Sequence, residues 1–461
     1  MQMVISNQIE MDIQAIYPEL LQVIYEKFTL RNPKYDTAIK QGRSPYKIPE
    51  YIQLFRSERG KLILPRGGGR WLQELFLKHQ VPFKAIDRRL TLSPVQFKSR
   101  IRLRRYQEEA VNALFQAKQG GISAPCGAGK TMILLETMAR IGQPTLWVTH
   151  TTELAEQVID RATEVLDIER DEIGRMYGGQ MSVGDRLTVC LVQTLSKLDL
   201  DSLKDKFGAV LVDEAHHMAA STFFYPVGQF PAMYRVWASA TPERSDGLTE
   251  MVFAGAGPIV YEIHQSEVPT VIPDLEVVET RFASTNEDYV KLIGELIQDE
   301  KRNQLIVDTV ARHAPGHYSL VLSDRVEHLQ ILKEMIENAL PDITVEILTG
   351  AMKKIARADV MERMRNKQVD ILLATQLARE GLDLPHLDRL FLAAPKRAQG
   401  AVQQEIGRIQ RPAEGKTDAV AFDFWDSRCN FLKNQFWSRR QVYQKIGANL
   451  HMPNQQRKAA R

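Results

Sequence analysis

The chain has 461 residues, 44% of them hydrophobic and 25% charged, the balance of an ordinary globular protein. That length exceeds what one hydrophobic core serves, so two or three domains are expected. A net charge of only +3 excludes a bulk positive field, and any nucleic-acid affinity must rest on local patches. No apolar run approaches the roughly 18 residues that span a bilayer. Met1 to Glu10 also lacks a basic segment followed by an apolar one, so a cytoplasmic protein with no membrane partner is expected. Cys126, Cys190 and Cys429 are too far apart for metal-ligand spacing, which argues against a zinc site and against disulfides.

In chain order, residues 1–97 read as a smaller α+β domain without a catalytic signature. Its turn from Ile63 to Arg70 carries three glycines and two arginines, and a plain strand-to-helix connection is its simplest reading. A phosphate-backbone contact, and a DNA-recognition role for the domain, is the alternative. Lys98, Arg100, Arg102, Arg104 and Arg105 follow, alternating with apolar residues in the manner of a strand or linker.

The segment Ala124, Pro125, Cys126, Gly127, Ala128, Gly129, Lys130, Thr131 then places a Gly-Lys-Thr triplet between an apolar run and a helical stretch. Such a loop cradles phosphates: its glycines turn backbone N–H groups inward, the lysine reaches the β/γ-phosphate oxygens and the threonine hydroxyl ligates Mg²⁺. The following helix aims the positive end of its dipole at the same anion. ATP and Mg²⁺ are therefore the expected cofactors once the base is specified below.

Residues 98–264 alternate short apolar strands with amphipathic helical stretches, and residues 286–461 do so again. Two tandem parallel-sheet α/β domains are predicted, joined by a linker over 265–285. In the first, Asp213 and Glu214 end the apolar run Ala209 to Val212, at the strand tip where open α/β sheets bind ligands. Asp213 is the expected Mg²⁺ ligand beside Thr131, and Glu214 the group that polarises the attacking water. In the second, Gln404, Arg408 and Arg411 stand at i, i+4 and i+7, one helical face able to meet a polyanion. From Ser427 to Arg461 the chain has no acid, and its basic residues suit phosphate contact. The aromatic and aliphatic stripe Phe431, Leu432, Phe436, Trp437, Tyr443, Ile446 reads as packing more readily than as a base-stacking platform.

The order of these elements resembles that of superfamily 2 helicases with two RecA-like domains, over about Leu103 to Arg411. Arg104, Tyr106 and Gln107 resemble the adenine-reading element, Ala124 to Thr131 that superfamily's phosphate loop, and Asp213-Glu214-Ala215-His216 the DEAH form of motif II. Val148 to Gln157 is similar to motif Ia, Gln193-Thr194-Leu195 to the element after it, and Ser239-Ala240-Thr241 to motif III. Leu322 to Arg325 resembles motif IV, Leu348-Thr349-Gly350 the short element after it, Ala374-Thr375 with Glu380 to Asp383 motif V, and Gln404 to Arg411 motif VI. Thr241 to Gly247 and Leu64 to Gly67 are most similar to the XPB-type branch and its bacterial and phage relatives.

The resemblance implies an ATP-dependent DNA helicase or double-strand translocase, with ATP held between the two domains and Arg408 and Arg411 facing its γ-phosphate. Gly381 and Asp383 would join the ATP site, His216, Ser239 and Thr241 would couple hydrolysis to movement, and Thr149, Gln193, Thr194, Arg325, Thr349, Gly350 and Thr375 would meet nucleic-acid phosphates. Duplex or branched DNA is the expected partner, with RNA an alternative. An ATP-gated clamp serving a partner nuclease or a repair or defence complex is the other reading.

Overall fold

The computed structural model describes residues 1–125, 127–215, 220–240, 248–375, 384–395 and 399–453. They fall into two compact units, Met1–Glu267 and Val268–Arg461. Among the described residues no helix is long and apolar enough to cross a membrane.

The first unit opens with a five-stranded sheet in the order Arg56–Glu58, Lys61–Pro65, Gln8–Asp12, Gln2–Ile5, Lys84–Asp87. Alternation decides its faces: Ile9, Met11, Leu62 and Leu64 are buried against Leu20 and Ile24 of helix Pro18–Lys27 and Leu72 and Phe76 of helix Gly69–Lys78. Phe224, Met251 and Ala254, from later in the chain, belong to the same core. The N-terminal region therefore shares a hydrophobic core with the sheet that follows and is not a separate bead.

The glycine-rich turn is where the two meet. A Cβ on Gly67 would stand 2.0 Å from the Phe253 carbonyl oxygen and 2.3 Å from that of Ala254, so only glycine permits this approach. The turn is a β-to-α connection whose Arg66 is buried, not a surface phosphate contact.

Residues 88–104 carry the basic run and form neither strand nor helix. They are strapped to the first unit by backbone bonds, Leu90 N–H to Pro231 O, Val95 N–H to Gly142 O and Arg100 N–H to Val165 O. Their alternation turns Lys98, Arg100, Arg102 and Arg104 to solvent without any sheet to join.

An eight-stranded sheet among the described residues forms the body of this unit. Its order is Gln180–Met181, Gly174–Tyr177, Leu187–Leu191, Thr145–Thr149, Ala209–Val212, Tyr234–Ser239, Gln119–Ser123, Ile259–Glu262. All pairings are parallel except the short 180–181 hairpin. Helices cover both faces, which is why the central strands are continuously apolar.

The second unit holds a seven-stranded parallel sheet, Val345–Leu348, Ile371–Ala374, Ser319–Leu322, Arg389–Leu392, Val420–Trp425, Asp274–Glu279, Asn449–His451. The segment expected as linker thus contributes a strand: Leu275 and Val277 are buried, and Asp274–Glu279 pairs with strands on both sides. Two buried ion pairs fasten helices to this sheet. Arg302, on helix Glu300–His313, donates to Asp426 (Nε to Oδ1, 2.8 Å) and to the Ala393 carbonyl (2.7 Å), while Thr280 Oγ1 donates to the same Asp426 oxygen at 2.6 Å. Arg439, on helix Asn430–Lys445, grips both oxygens of Asp423 at 2.9 and 2.8 Å, and Tyr443 donates to Asp423 at 2.7 Å.

Arg439 is therefore a core residue and not one of the tail's candidates for phosphate contact; of the basic residues between 427 and 453, Arg428, Lys433 and Lys445 stand exposed. Leu432, Phe436, Tyr443 and Ile446 are buried as a packing stripe, while Phe431 rests on Tyr289 and Trp437 under Arg440 at the surface. Cys190 and Cys429 are free and buried; Cys126 lies outside the described residues.

Asp426→Ala should cost about 3–5 kcal/mol by leaving Arg302 buried without its partner, whereas replacing both residues with apolar ones of similar volume should recover most of the loss. Urea unfolding of the three proteins measures the difference.

Candidate nucleotide site and nucleic-acid edge

The parallel sheet of the first unit ends its strands on one edge, and five consecutive strands deliver the predicted residues there. The Gln119–Ser123 strand runs into the phosphate loop, where Gly127 and Gly129 take φ of +84° and +80°, conformations open to glycine at little cost. Gly129 caps helix Lys130–Ile141, whose first residues are Lys130 and Thr131. The helix thus points its first turn of backbone N–H groups and its positive dipole end toward the loop, an arrangement suited to phosphate.

Gln107 holds this loop from outside. Its side-chain Nε2 donates to the Ala128 carbonyl at 2.8 Å, and its Oε1 accepts from the Arg104 N–H at 2.9 Å, closing a capping box at the start of helix Arg105–Ala117. Arg104 Nη1 donates to the Tyr106 hydroxyl at 3.2 Å. The three residues expected to read adenine are one cluster against the loop, and Gln107 is 8% exposed.

The neighbouring Tyr234–Ser239 strand bonds directly to the loop: Ala124 N–H donates to the Ser239 carbonyl at 2.9 Å. Next to it, Ala209–Val212 delivers Asp213 and Glu214. Lys130 Nζ lies 3.2 Å from Glu214 Oε1, and Thr131 Oγ1 donates to Asp213 Oδ2 at 3.4 Å. Asp213 Oδ1 is buried and has no hydrogen-bond partner among the described residues. Burial first, and the charge of Glu214 second, push the Asp213 carboxyl up to about 7. A buried carboxylate with a free oxygen beside a threonine hydroxyl is the donor set of a hard divalent cation. Glu214 adopts φ +52°, a left-handed conformation costly for a side chain with Cβ, and such strain concentrates at functional positions.

Beyond motif II the same edge changes character. Thr149 ends its strand fully buried, and Asp213 N–H donates to the Val148 carbonyl just before it at 3.1 Å. One strand further, Gln193 is exposed and its Nε2 donates to the His150 carbonyl at 3.0 Å, with Thr194 half-buried beside it. The predicted phosphate loop and the paired acids therefore occupy one end of the edge, and hydroxyl and amide groups the other.

The second unit repeats the pattern. Ser319–Leu322, Ile371–Ala374 and Val345–Leu348 are adjacent strands, and past their ends lie Arg325, Thr375 and Thr349 with Gly350. Arg325 is exposed at the start of helix Val326–Ala339. Behind it Ser323 Oγ meets His328 Nδ1 at 3.0 Å, and His328 Nε2 meets Asn303 Oδ1 at 3.0 Å. Burial pushes this histidine down to about 3, so it is a neutral bracket holding the turn. Motif VI is only partly a helical face: helix Gln399–Ile409 carries Gln404 and Arg408, but ends before Arg411. The carbonyl of Arg411 instead accepts from Lys416 Nζ at 2.9 Å, because Pro412 cannot continue a helix and biases the residue before it to extended backbone. His216, Thr241, Gly381 and Asp383, like Cys126 and Glu380, lie outside the described residues.

Sequence reading found the loop and the acids but missed the second role of Gln107 and the His328 bracket. A capping pattern at Arg104 to Gln107 was the available signal for the first; nothing in the sequence marks the second. Gly129→Ala, at φ +80° and with its new Cβ 2.6 Å from Gln107 Nε2, should cost about 1–3 kcal/mol and weaken nucleotide binding. Gln107→Ala should lower stability by about 1 kcal/mol through the lost loop bond. Thermal melts with and without nucleotide check both.

Two domain families match the chain: "Type III restriction enzyme, res subunit" over residues 100–244 and "Helicase conserved C-terminal domain" over residues 300–413. It is 26% identical over 361 residues to a protein of Acanthamoeba polyphaga mimivirus described as an ATP-dependent RNA helicase, spanning 74% of this chain and 67% of that one. It is also 26% identical over 354 residues to the DNA 3'-5' translocase XPB2 of Sulfurisphaera tokodaii, spanning 68% and 80%. In fold it is similar to a fragment of an HsdR subunit of a type I restriction enzyme from Vibrio vulnificus, with a TM-score of 0.58 at 17% identity over 77% of this chain and 68% of that one. With its motifs in order on two parallel-sheet units and both domain families matched, the chain belongs to the superfamily 2 helicases, as an ATP-hydrolysing member near the XPB-type branch.

Proposed function

We propose that this helicase is a motor that moves along, or remodels, duplex or branched DNA. The observation that carries the reading is the strand order of the first unit, in which the phosphate loop, Ser239, Asp213 with Glu214, Thr149 and Gln193 follow one another along one sheet edge. Adjacent strands share backbone hydrogen bonds, so a shift at the nucleotide end is passed to the groups assigned to nucleic acid. Similarity to a DNA translocase favours DNA, and the likeness to a protein described as an RNA helicase keeps RNA as the second reading.

In this assignment Lys130 and the loop N–H groups bind the β/γ-phosphates, with Arg104, Tyr106 and Gln107 at the adenine. Thr131 and Asp213 fit Mg²⁺, which neutralises phosphate charge when bound. Glu214 orients the attacking water, and Gln404, Arg408 and Arg411 act on the γ-phosphate; Gly381 and Asp383 complete the set. Thr149, Gln193, Thr194, Arg325, Thr349, Gly350 and Thr375 meet phosphates, whose contacts carry little sequence information. Affinity is then strongly salt-dependent and sequence preference weak.

Lys130→Ala and Glu214→Gln should each lower nucleic-acid-stimulated ATP turnover by at least about a hundredfold while leaving DNA binding within a few fold. A triplex-displacement assay tests movement: a translocase strips the third strand with ATP, and a static clamp does not. ATPase stimulation by duplex DNA, forked DNA and RNA at one salt concentration decides the substrate, and a preference for RNA overturns the DNA reading.

Because the Asp213 carboxyl sits near 7, its proton competes with the cation. The Mg²⁺ concentration for half-maximal turnover should rise about tenfold per pH unit below 7 and flatten above it. In metal-free protein the sign reverses. The folded state holds this proton more tightly than the unfolded one, so the stability contributed by Asp213 is full below 3.8 and is lost as pH rises to about 7. Magnesium titrations of turnover, and melts with and without chelator across pH, read both.

A further inference from the structure

At the opposite end of the Gln119–Ser123 strand from the phosphate loop, two arginines are buried side by side. Arg66 is 3% exposed and Arg235 is fully buried. Arg66 donates from Nε to Gln119 Oε1 at 2.7 Å, and from Nη1 to the carbonyls of Ala232 at 2.7 Å and Ser6 at 3.2 Å. Arg235 donates from Nη1 to the Gly255 carbonyl at 2.6 Å, and from Nη2 to those of Phe230 at 2.7 Å and Asn7 at 3.5 Å. Every one of these acceptors is neutral.

Asp87, the acid whose charge reaches Arg66, is already taken by Arg89, whose Nε and Nη2 meet its two oxygens at 2.9 and 2.7 Å. Two guanidinium charges therefore share one buried spot without a carboxylate of their own. Desolvation lowers the Arg235 pKa to about 9; it lowers that of Arg66 as well, and the charge of Arg235 adds to that effect. Carbonyl acceptors satisfy N–H groups but do not neutralise charge, and an uncompensated buried ion costs several kcal/mol, on the order of a lost buried pair.

Three buried polar atoms here, Arg66 Nη2, Arg235 Nε and Gln119 Nε2, have no acceptor among the described residues. All three are donors, so what they lack is a set of acceptors, and the local charge specifies an anionic one. Both arginines line a cavity of about 240 Å³, together with Asn7, Gln8, Tyr225 and Gln229. That volume is below the roughly 300–1,000 Å³ of sites for drug-sized ligands and suits a small oxyanion with water. Two guanidinium forks lining one small cavity suit a compact oxyanion such as phosphate, which can accept several N–H bonds at once.

We propose that Arg66 and Arg235, with Gln119 bonded to Arg66 behind the cavity, form a second phosphoryl site, distinct from the nucleotide loop, which binds inorganic phosphate or the terminal phosphate of a nucleic-acid strand. Its place in the fold gives it a consequence. Arg66 comes from the N-terminal sheet's glycine turn, whereas Gln119 and Arg235 are paired at the beginning of the two strands that end at Ser123 and Ser239. Anion binding clamps the N-terminal region onto the strands that carry the phosphate loop and motif III.

Inorganic phosphate also fits the nucleotide loop, so the test uses full-length Lys130→Ala protein. Its melting temperature in sodium phosphate should exceed that in sodium chloride at matched ionic strength, and the rise should saturate. Gln119→Glu is isosteric, removes an unsatisfied N–H and puts a carboxylate on Arg66. In that background it should raise the melting temperature in chloride and weaken the apparent phosphate affinity at least tenfold. Tyr225→Trp, at the cavity wall and outside the arginine bonds, should weaken phosphate binding while leaving the melt in chloride unchanged. No phosphate effect in Lys130→Ala protein, or one unchanged by both second substitutions, overturns the proposal. Competition by a 5'-phosphorylated oligonucleotide but not its 5'-hydroxyl form assigns the strand end as ligand; competition by neither assigns the free ion.

Discussion

Parallel-sheet register is the constraint on which the rest of this molecule depends. Tyr234–Ser239 runs beside Gln119–Ser123 residue for residue, so that the Ser239 carbonyl is in place to accept from Ala124 where the phosphate loop begins. Ala209–Val212 in turn runs beside Thr145–Thr149, and Asp213 emerges where Val148 can accept its N–H. A slip of one residue in either pairing would turn the strand faces over and carry the acids away from Lys130. Chemistry here is a matter of where strands stop, and the strands stop together.

That dependence explains which parts of the site were legible in the sequence. The phosphate loop and the Asp-Glu pair are local: each needs only a short motif after an apolar run, and both lie where the pattern placed them. The central strands of both sheets were also legible, because burial on two faces leaves continuous apolar runs. Strands at or next to the sheet margins were not. Gly174–Tyr177, Asp274–Glu279 and Asn449–His451 are short or mixed in polarity, and only tertiary pairing makes them strands. Arg439 was misread for a related reason, since a sequence without acids nearby does not show that Asp423, sixteen positions earlier, turns back onto it. Arg411 fell off the helical face because Pro412 outweighed the spacing.

The N-terminal region shows the same limit from the other side. The lack of a catalytic signature set residues 1–97 apart as a domain of their own, and their sheet does have its own hairpins. Yet Phe224, Met251 and Ala254 complete its core, and Gly67 lets its turn press against the backbone of residues 253 and 254. Such contacts are invisible to periodicity, which reports each element's own faces and not what covers them. They make the region a fixed part of the first unit, held by apolar packing and by two charged anchors.

The ion pair between Lys130 and Glu214 has a kinetic meaning on the proposed assignment. The lysine that must greet phosphate and the acid that must orient water are 3.2 Å apart and face each other. Arrival of a nucleotide has to part them, exchanging one anion at the lysine for another and releasing the acid for its task. On that assignment neither group is armed until the nucleotide separates them, and the ion pair is a latch against idling: adventitious water finds no oriented base before the nucleotide arrives.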